Sequence, residues 1–374
     1  MGPCVWNSPA WPRFLDKIMT CSASQRIAPD LVKAYWHPLC LKSQVADDKD
    51  FVRFNVLDFE VVVFNDAGNL IAFDNRCPHR GTRFFTEDAG QQRILCPYHG
   101  WNYADGQLRI PDAKRFVGCD IGSASLNFFK LATCGELVFF AIEPRTSLLD
   151  QLGQDIFTLL EQTTPDLGKP ADFNRYAFEA DWPISLENAL EPYHIPLVHR
   201  ETLATLKLGI GENVFYGENS IWYAPVENEK VARRLESLSR FFAPRDAYAG
   251  YVSIFLYPFS MLSATYGYSW SMQNFFPSGQ PDRTWFTSQL YPLRAASERY
   301  DEIVSTFMTS TAENNRTVFE EDHTICKRIP GDTWSWNAPR YYSSLEAKLL
   351  HFRASCAEWA RQAGAATTVG EERV

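Results

Sequence analysis

The first regular pattern of apolar and polar positions runs from Tyr35 to about Ile142. Short apolar runs such as DFEVVVFND, NLIAFDN and ELVFFAI alternate there with the polar segments DAGN, EDAG and ADGQ. Runs of this length, separated by Gly, Asp and Asn, are typical of antiparallel strands joined by tight turns. The pattern therefore predicts a small antiparallel β domain over residues 35–145. Residues 1–34 form an extension with one possible short helix.

A different pattern begins after Glu143 and Pro144. Segments with a helical period now occur beside strand-like segments that are rich in aromatic residues. The pattern is helical at 147–163, strand and then helix at 172–194, strand at 251–276 and 284–293, and helical at 297–329. We therefore predict an α+β chain whose second domain, residues 146–374, contains an antiparallel sheet.

The overall composition excludes several classes of protein. The net charge is −9 and the sequence pI is about 5.4, which argues against a nucleic-acid-binding protein. Nine cysteines among 374 residues are too few, and odd in number, for a disulfide scaffold. No run of about 18 apolar residues predicts a membrane span, and the N-terminal segment is a poor signal peptide. We expect a cytoplasmic protein. The chain also lacks a GxGxxG motif, so no nicotinamide site of its own is expected.

Two short motifs of the β domain carry candidate metal ligands. Cys77 and His79 form a C-x-H pair in NRCPHRG, and Cys96 and His99 form a C-x-x-H pair in LCPYHGW. Structural zinc sites favour pairs of like ligands, whereas each motif here supplies one thiolate and one imidazole. That division suits a [2Fe–2S] cluster with one iron held by two cysteines and the other by two histidines. The alternatives are a zinc site and two unrelated turns.

A second candidate metal site lies in LENALEPYHIPLVH, residues 186–199. His194 and His199 are five residues apart, which on a continuous helix would direct them about 140° away from each other. Pro196 cannot donate an N–H, and it favours an extended conformation of Ile195. We therefore predict that the helix ends near His194 and that the bend allows the two imidazoles to meet.

The third ligand of this site is predicted on the helix TVFEEDHTICKRI. Val318, Asp322, Ile325 and Ile329 recur at steps of four, three and four, so Asp322 lies on an apolar face. A buried carboxylate needs a partner, and a metal ion supplies one. Two histidines and one carboxylate are the ligand set of non-haem Fe(II) sites with open positions. The alternatives are surface residues, or a ligand at the neighbouring Glu320 or Glu321.

Two further residues of the same segment are candidate catalytic residues. Glu191 precedes His194 by three residues, and a carboxylate at that distance can hold the free N–H of a ligating histidine. It could equally hold a histidine of the other cluster, or be an acid favoured by a helix dipole. Asn188, one turn earlier, is the second candidate.

The motifs CPHRG, CPYHGW, ENALEPYHIPLVH and EEDHTIC, in this order, resemble the catalytic α-subunits of the Rieske non-haem iron oxygenases. The resemblance covers about residues 35–330. It implies an N-terminal Rieske domain and a C-terminal helix-grip, START-like catalytic domain around a mononuclear Fe(II). The implied cluster ligands are Cys77, His79, Cys96 and His99, and the implied iron ligands are His194, His199 and Asp322.

The resemblance also implies partners. In this family the acid at the position of Glu191 connects the histidine equivalent to His99 of one subunit to the histidine equivalent to His194 of the next, which requires a trimer. The length of the chain favours a homotrimer. A separate NAD(P)H-dependent flavin reductase, with or without a ferredoxin, would supply the electrons. The chain departs from the family pattern at Lys327 and Pro330, where members often carry a Gln.

The implied reaction is the hydroxylation of a small organic substrate with O2, either dihydroxylation of an aromatic ring or monohydroxylation. The alternative is an N- or O-demethylating monooxygenase, and Glu191 in place of the usual Asp resembles the members that oxidise quaternary ammonium compounds. Less favoured alternatives are a Rieske electron carrier and an apolar-ligand-binding module. The candidates for pocket walls are Tyr216, Trp222, Tyr223, Phe255, Tyr257, Tyr266, Tyr268 and Trp270.

Overall fold

A computed structural model describes residues 24–242, 247–335 and 337–371. Most of the predicted N-terminal extension lies outside these residues. Its end forms helix α1, Ser24–Ala34, in which Leu31 and Val32 are fully buried. No helix among the described residues has the length and apolar character that a membrane crossing requires.

The N-terminal domain is built from antiparallel strands, as the alternating pattern predicts. Its main sheet has seven strands in the order β1-β10-β9-β4-β3-β2-β5, and a separate three-stranded sheet has the order β6-β7-β8. The strands are β1 His37–Leu41, β2 Asp50–Val56, β3 Phe59–Asp66, β4 Asn69–Asp74, β5 Ala89–Gln91, β6 Ile94–Leu95, β7 Asn102–Ala104, β8 Gln107–Arg109, β9 Phe128–Cys134 and β10 Leu137–Ala141. The two Cys–His motifs lie in the β4–β5 connection and in the β6–β7 turn.

The C-terminal domain has a second seven-stranded antiparallel sheet, in the order β11-β17-β16-β15-β14-β13-β12. Its strands are β11 Asp172–Phe178, β12 Glu212–Tyr216, β13 Asn219–Ala224, β14 Tyr251–Leu256, β15 Ser260–Thr265, β16 Ser269–Pro277 and β17 Thr284–Pro292. Its helices are α2 Leu148–Leu152, α3 Gln154–Thr163, α4 Trp182–Leu190, α5 Ile195–Val198, α6 Glu229–Leu238, α7 Asp301–Cys326 and α8 Ala347–Glu371. The α+β fold class is confirmed.

Two predicted helices differ from the structure in their bounds. The single helix predicted over 147–163 is divided at Gly153, whose φ of +75° lies outside the helical region. The long helix predicted over 297–329 is α7, which begins at Asp301 and ends at Cys326. Ile329 therefore lies beyond the helix and is exposed.

The long helix α7 packs across the large sheet through its aromatic and aliphatic residues. Phe319 contacts Phe286 of β17 with ring centroids 5.0 Å apart, and Val318 is buried beside it. Because Val318 and Phe319 face the sheet, their packing also fixes the positions of the three acids that follow them, residues 320–322. The helix thus carries its carboxylates to a fixed place over the sheet.

The two domains share one hydrophobic core and several backbone contacts. The Trp285 indole N–H donates to the carbonyl of Leu57 at 2.9 Å, and the Gln289 amide donates to the carbonyl of Leu39 at 2.6 Å. Both donors belong to β17, the strand against which α7 packs. The β domain is therefore attached to the strand that also supports the helix.

The C-terminal helix α8 holds α4 in place through a buried ion pair. Arg353 donates to both carboxylate oxygens of Glu187 at 2.6 Å, and the Trp334 indole N–H donates to the same carboxylate at 2.7 Å. The side chains of Glu187 and Arg353 are only 8% and 13% exposed. A pair of this kind costs desolvation to form, but removing one partner leaves an uncompensated buried charge.

We expect Arg353→Met to destabilise the protein by about 3–5 kcal/mol, because the Glu187 carboxylate stays buried without its partner. Urea unfolding monitored by tryptophan fluorescence measures this. The double variant with Glu187→Gln should recover most of the loss. Arg361→Met removes an exposed pair with Glu358 on the same helix, and should cost less than about 1 kcal/mol. Equal losses for Arg353→Met and Arg361→Met would contradict the role of the buried pair.

Candidate functional site

The two Cys–His motifs of the N-terminal domain fold into similar turns. The Gly81 N–H donates to the Cys77 carbonyl at 2.8 Å, and the Gly100 N–H donates to the Cys96 carbonyl at 3.0 Å. Both glycines have positive φ values, +75° and +74°, a region that favours glycine. Each turn therefore needs the glycine that follows its histidine.

The side chains of these turns form a pair of thiols and a pair of imidazoles. Cys77 and Cys96 are buried, and their thiols are hydrogen-bonded to each other. The rings of His79 and His99 lie 4.7 Å apart. Burial raises the pKa of the Cys77 thiol, while backbone N–H groups of His79 and Arg80 act to lower it. N–H groups directed at a sulfur favour the thiolate that binds metal.

The donor set fits a two-iron cluster better than a zinc ion. Nδ1 of His79 is buried and has no hydrogen-bond partner, as expected of a nitrogen that binds a metal. A tetrahedral zinc ion would draw all four ligand atoms together at bonds of about 2.0–2.3 Å. In the part of the chain that the structure describes, no three of the ligand atoms of these four residues lie within 4.8 Å of one another. A thiol pair beside an imidazole pair suits two separate irons.

Aromatic rings support both histidines, but only one histidine is covered. The His79 ring is stacked on Trp101 with centroids 4.9 Å apart and an angle of 5°. The His99 ring is stacked on Tyr98 at 3.8 Å, and both of these residues are exposed. The His99 edge of the cluster site therefore faces the surface of the chain.

The second candidate site is formed at the end of α4. The helix ends at Leu190, four residues earlier than predicted, and Glu191 is extended. The prediction that Ile195 is extended is wrong, because Ile195 begins the short helix α5 with Pro196 in its first turn. Proline is accepted there because the first N–H groups of a helix have no partner within the helix. The turn between α4 and α5 still brings the two histidines together.

The structure brings His194, His199 and Asp322 together. The Nε2 atoms of the two histidines are 3.1 Å apart. Oδ1 of Asp322 lies 2.9 Å from Nε2 of His199 and 3.6 Å from Nε2 of His194. His199 is 1% exposed, and the side chains of His194 and Asp322 are 16% and 15% exposed. Three ligand atoms on one side of an open space can hold a metal with free positions.

Each histidine has a carboxylate on its other ring nitrogen. Oε1 of Glu191 lies 2.7 Å from Nδ1 of His194, and Oε2 of Glu321 lies 2.7 Å from Nδ1 of His199. The Thr202 hydroxyl donates to the same Glu321 oxygen at 2.8 Å. Each acid can accept a hydrogen bond from the Nδ1–H of its histidine. This keeps the proton on Nδ1 and leaves the lone pair of each Nε2 free to bind a metal ion.

Sequence reasoning considered Glu321 only as an alternative ligand, and it did not find the role that the geometry gives it. Glu320, Glu321 and Asp322 are adjacent in one run, and only the packing of α7 distinguishes them. Glu320 is exposed, Glu321 meets the outer nitrogen of His199, and Asp322 meets the inner one. Helical rotation of about 100° per residue separates these directions.

Asn188 contacts the carboxylate ligand candidate. Its amide donates to Oδ1 of Asp322 at 2.7 Å. A donor at this oxygen restricts the rotation of the carboxylate, so Asn188 can position Asp322 in this arrangement.

The electrostatics of the triad favour a bound cation. Burial alone would lower the pKa of His199, but hydrogen bonds and charges from Asp322 and Glu321 raise its pKa overall. The carboxylates thus create a negative potential around the imidazole. A metal ion would satisfy this potential while leaving the imidazole neutral.

A cavity of about 60 Å³ lies beside the triad, and a larger cavity of about 330 Å³ shares its walls at Tyr251, Gln273 and Phe319. Of the eight predicted wall aromatics, Trp222 lines the cavity of the triad. Phe255 and Tyr257 are buried in the core, and Tyr223 and Trp270 line a separate cavity. Tyr251 was not predicted. The ring centroids of Tyr251 and Trp222 lie 5.8 Å apart, and the two rings are arranged edge to face.

Comparisons with known families match both halves of the chain. Residues 35–118 match the Rieske [2Fe-2S] domain, and residues 166–362 match the ring hydroxylating alpha subunit (catalytic domain). Glycine betaine monooxygenase oxygenase subunit of Chromohalobacter salexigens is 30% identical over 148 residues, 39% of this chain and 33% of that protein. Anthranilate 1,2-dioxygenase large subunit of Acinetobacter baylyi is 28% identical over 183 residues, 46% of this chain and 39% of that protein. The matched segments thus span well under half of these relatives.

Solved structures show the same fold over most of the chain. A quaternary ammonium Rieske monooxygenase in complex with L-carnitine has a TM-score of 0.69 at 18% identity, covering 90% of this chain and 93% of that one. Naphthalene 1,2-dioxygenase from Rhodococcus sp. has a TM-score of 0.66 at 17% identity, covering 89% and 90%. The catalytic-domain match alone covers more than half of the chain. The chain therefore belongs to the family of ring-hydroxylating oxygenase α-subunits, with a Rieske [2Fe–2S] domain at its N-terminal side.

Proposed function

We propose that this chain is the terminal oxygenase component of a multicomponent Rieske non-haem iron oxygenase. It uses O2 and electrons from a separate NAD(P)H-dependent flavin reductase, with or without a ferredoxin, to hydroxylate a small organic substrate. The observation that carries the proposal is the triad of His194, His199 and Asp322 beside a cavity, in the same chain as a Rieske domain. A Rieske electron carrier has no need of the second site.

In this proposal Cys77, His79, Cys96 and His99 hold the [2Fe–2S] cluster, and His194, His199 and Asp322 hold Fe(II). When bound, the cluster supplies electrons singly, and the iron offers open positions for O2 and substrate. The protein supplies the surroundings: Glu191 and Glu321 accept hydrogen bonds from Nδ1 of His194 and of His199, and Asn188 holds the orientation of Asp322.

Exposed aromatic and aliphatic residues support a homotrimer. Tyr98, whose ring stacks on that of His99, is 56% exposed, and Tyr193 and Leu197, which flank His194, are 63% and 68% exposed. Exposed apolar residues next to functional groups are typical of interaction surfaces. A contact between the His99 edge of one subunit and the His194 edge of the next would place Glu191 between the two metal centres.

A second candidate function is the oxidation of an N-methyl group of a quaternary ammonium compound. Trp222 and Tyr251 present two rings to the cavity, and ring faces attract organic cations. The similarity to glycine betaine monooxygenase subunits supports this candidate. Ring hydroxylation is supported by the similarity to anthranilate and 2-halobenzoate dioxygenases.

The function is tested by single turnover of the reduced protein with ¹⁸O2 and a mixed panel of arenes and N- or O-methyl compounds, read by mass spectrometry. We expect a labelled hydroxylated product, or formaldehyde with a demethylated product. The protein should hold about three irons per chain, since a Rieske electron carrier holds about two. Asp322→Ala should retain the visible absorption and give no product. Two irons per chain and no labelled product would identify an electron carrier instead.

We expect Glu321→Gln to weaken binding of the mononuclear iron by about 10- to 100-fold, because His199 loses the carboxylate on its outer nitrogen. Titration of the apoprotein with Fe(II), followed by metal analysis, measures this. The neighbouring Glu320→Gln is the matched control and should bind iron like the parent. Equal iron binding by the two variants would show that Glu321 does not support the site.

Glu191→Gln tests the proposed connection between the centres. We expect both metals to remain bound while single-turnover reoxidation of the reduced cluster slows strongly, because the amide cannot replace the charged carboxylate between two imidazoles. Stopped-flow absorbance of the cluster measures the rate. Glu201→Gln, an exposed residue of the same segment, is the control. A parental rate in Glu191→Gln would mean that electrons take another route.

A further inference from the structure

A buried lysine lies behind the wall of the cavity that contains the iron triad. Lys348 of α8 is 3% exposed, and its ammonium donates to the carbonyl and to the hydroxyl of Ser253, each at 3.0 Å. Ser253 belongs to β14 and lines the same cavity as Asp322 and Trp222. A positive charge is thus one hydroxyl group away from the substrate space.

This lysine has no negative partner among the residues that the structure describes. No carboxylate of that part of the chain lies within 4.0 Å of its Nζ, whereas other buried cations such as Arg53 and Arg353 are paired with Glu60 and Glu187. Burial lowers the pKa of Lys348 to about 7. The residue is also the second of its helix, where the dipole disfavours a cation. A buried cation in this position is costly unless an anion compensates it.

The hydrogen bonds determine what Ser253 presents to the cavity. A protonated lysine has three donors and no acceptor, so the Ser253 oxygen must accept from Lys348. The hydroxyl proton is then free to point elsewhere, and the neighbouring cation polarises it. A donor of this kind favours a charged or strongly basic oxygen on the ligand.

We propose that Ser253, polarised by Lys348, forms an anion subsite in the cavity wall, so that the substrate of the proposed oxygenase carries a carboxylate. Calling the ligand a substrate rests on the proposed function, whereas the subsite itself is a property of ligand binding. Ser253 contacts the ligand, and Lys348 is a positioning residue that acts through it.

Charges elsewhere in the cavity agree with this orientation. The carboxylates that line it are Glu191 and Asp322, and both belong to the surroundings of the candidate metal site. In the iron-loaded protein the metal charge offsets Asp322, so the attraction of a carboxylate toward Ser253 comes from the Lys348 charge behind it. A substrate with a carboxylate at Ser253 therefore turns its other end toward the iron position. The rings of Trp222 and Tyr251 suit either an arene or an ammonium group on that end.

The test is isothermal titration of the iron-loaded holoenzyme with pairs of probes that differ in the carboxylate: benzoate against benzamide, and glycine betaine against choline. We expect at least one carboxylate probe to bind about 10- to 100-fold more tightly than its neutral-headed counterpart. Lys348→Met should remove this preference and leave the weaker probe unchanged. Lys33→Met, an exposed lysine paired with Glu143, is the matched control and should keep the preference.

A second readout separates this role from a structural one. An anion at Ser253 stabilises the protonated lysine, so binding near pH 7 should take up protons, which titration in buffers of different ionisation enthalpy detects. Lys348→Met should take up none. Replacing a buried charge by a similar apolar side chain is often neutral for stability, so this variant is expected to fold. Ser253→Ala, which keeps Lys348, should also lose the preference and serves if the methionine variant does not fold.

Equal binding within both pairs, or a preference retained in both Lys348→Met and Ser253→Ala, would overturn the subsite. These outcomes are distinct from failure of the proposed function. If the parent protein binds carboxylates through Lys348 but oxygenates no compound, the subsite stands and the oxygenase proposal fails. If it oxygenates neutral compounds and ignores the carboxylate, the oxygenase stands and the subsite is wrong.

Discussion

The contact between α7 and the turn after α4 is the constraint on which the candidate iron site depends. Asp322 of α7 lies 2.9 Å from Nε2 of His199 and accepts a hydrogen bond from Asn188 of α4, while Glu321, the preceding residue of α7, contacts Nδ1 of His199. The two helices are separated by more than a hundred residues in the sequence. Their relative position is therefore set by packing: Phe319 on Phe286 for α7, and Glu187 on Arg353 for α4. The geometry of the site therefore depends on these two buried contacts.

The candidate ligands that lie close together in the chain could be predicted from the local sequence. Both Cys–His motifs and the His194–His199 pair lie within short segments whose glycines and proline restrict the backbone. The meeting of His194 and His199 follows from the turn between α4 and α5, whereas the two Cys–His motifs lie in separate turns and meet through the fold of the β domain. The bend after α4 was predicted with the right consequence but the wrong detail, because Pro196 fits the first turn of a new helix as well as it fits an extended segment.

Tertiary packing decided what the sequence left open. Three adjacent acids on α7 have similar side chains and nearly the same neighbours in sequence, yet one is exposed, one contacts the outer nitrogen of His199 and one contacts its inner nitrogen. The aromatic wall residues show the same limit, since only Trp222 of the eight candidates reaches the cavity of the triad. Strand alternation tells which residues share a face, but here both faces of the sheet are covered, so burial alone does not distinguish a pocket from a core.

The charges around the cavity form two poles with different origins. Near α7 and the α4–α5 turn, Glu191, Glu321 and Asp322 surround two imidazoles, and the proposed metal cation would compensate this excess of negative charge in a buried place. At the other wall, the single cation Lys348 lacks a counter-charge among the described residues. A zwitterionic or anionic ligand aligned between these poles would compensate the second without disturbing the first. The same arrangement disfavours a ligand whose only charge is positive, unless the rings of Trp222 and Tyr251 hold it away from Ser253.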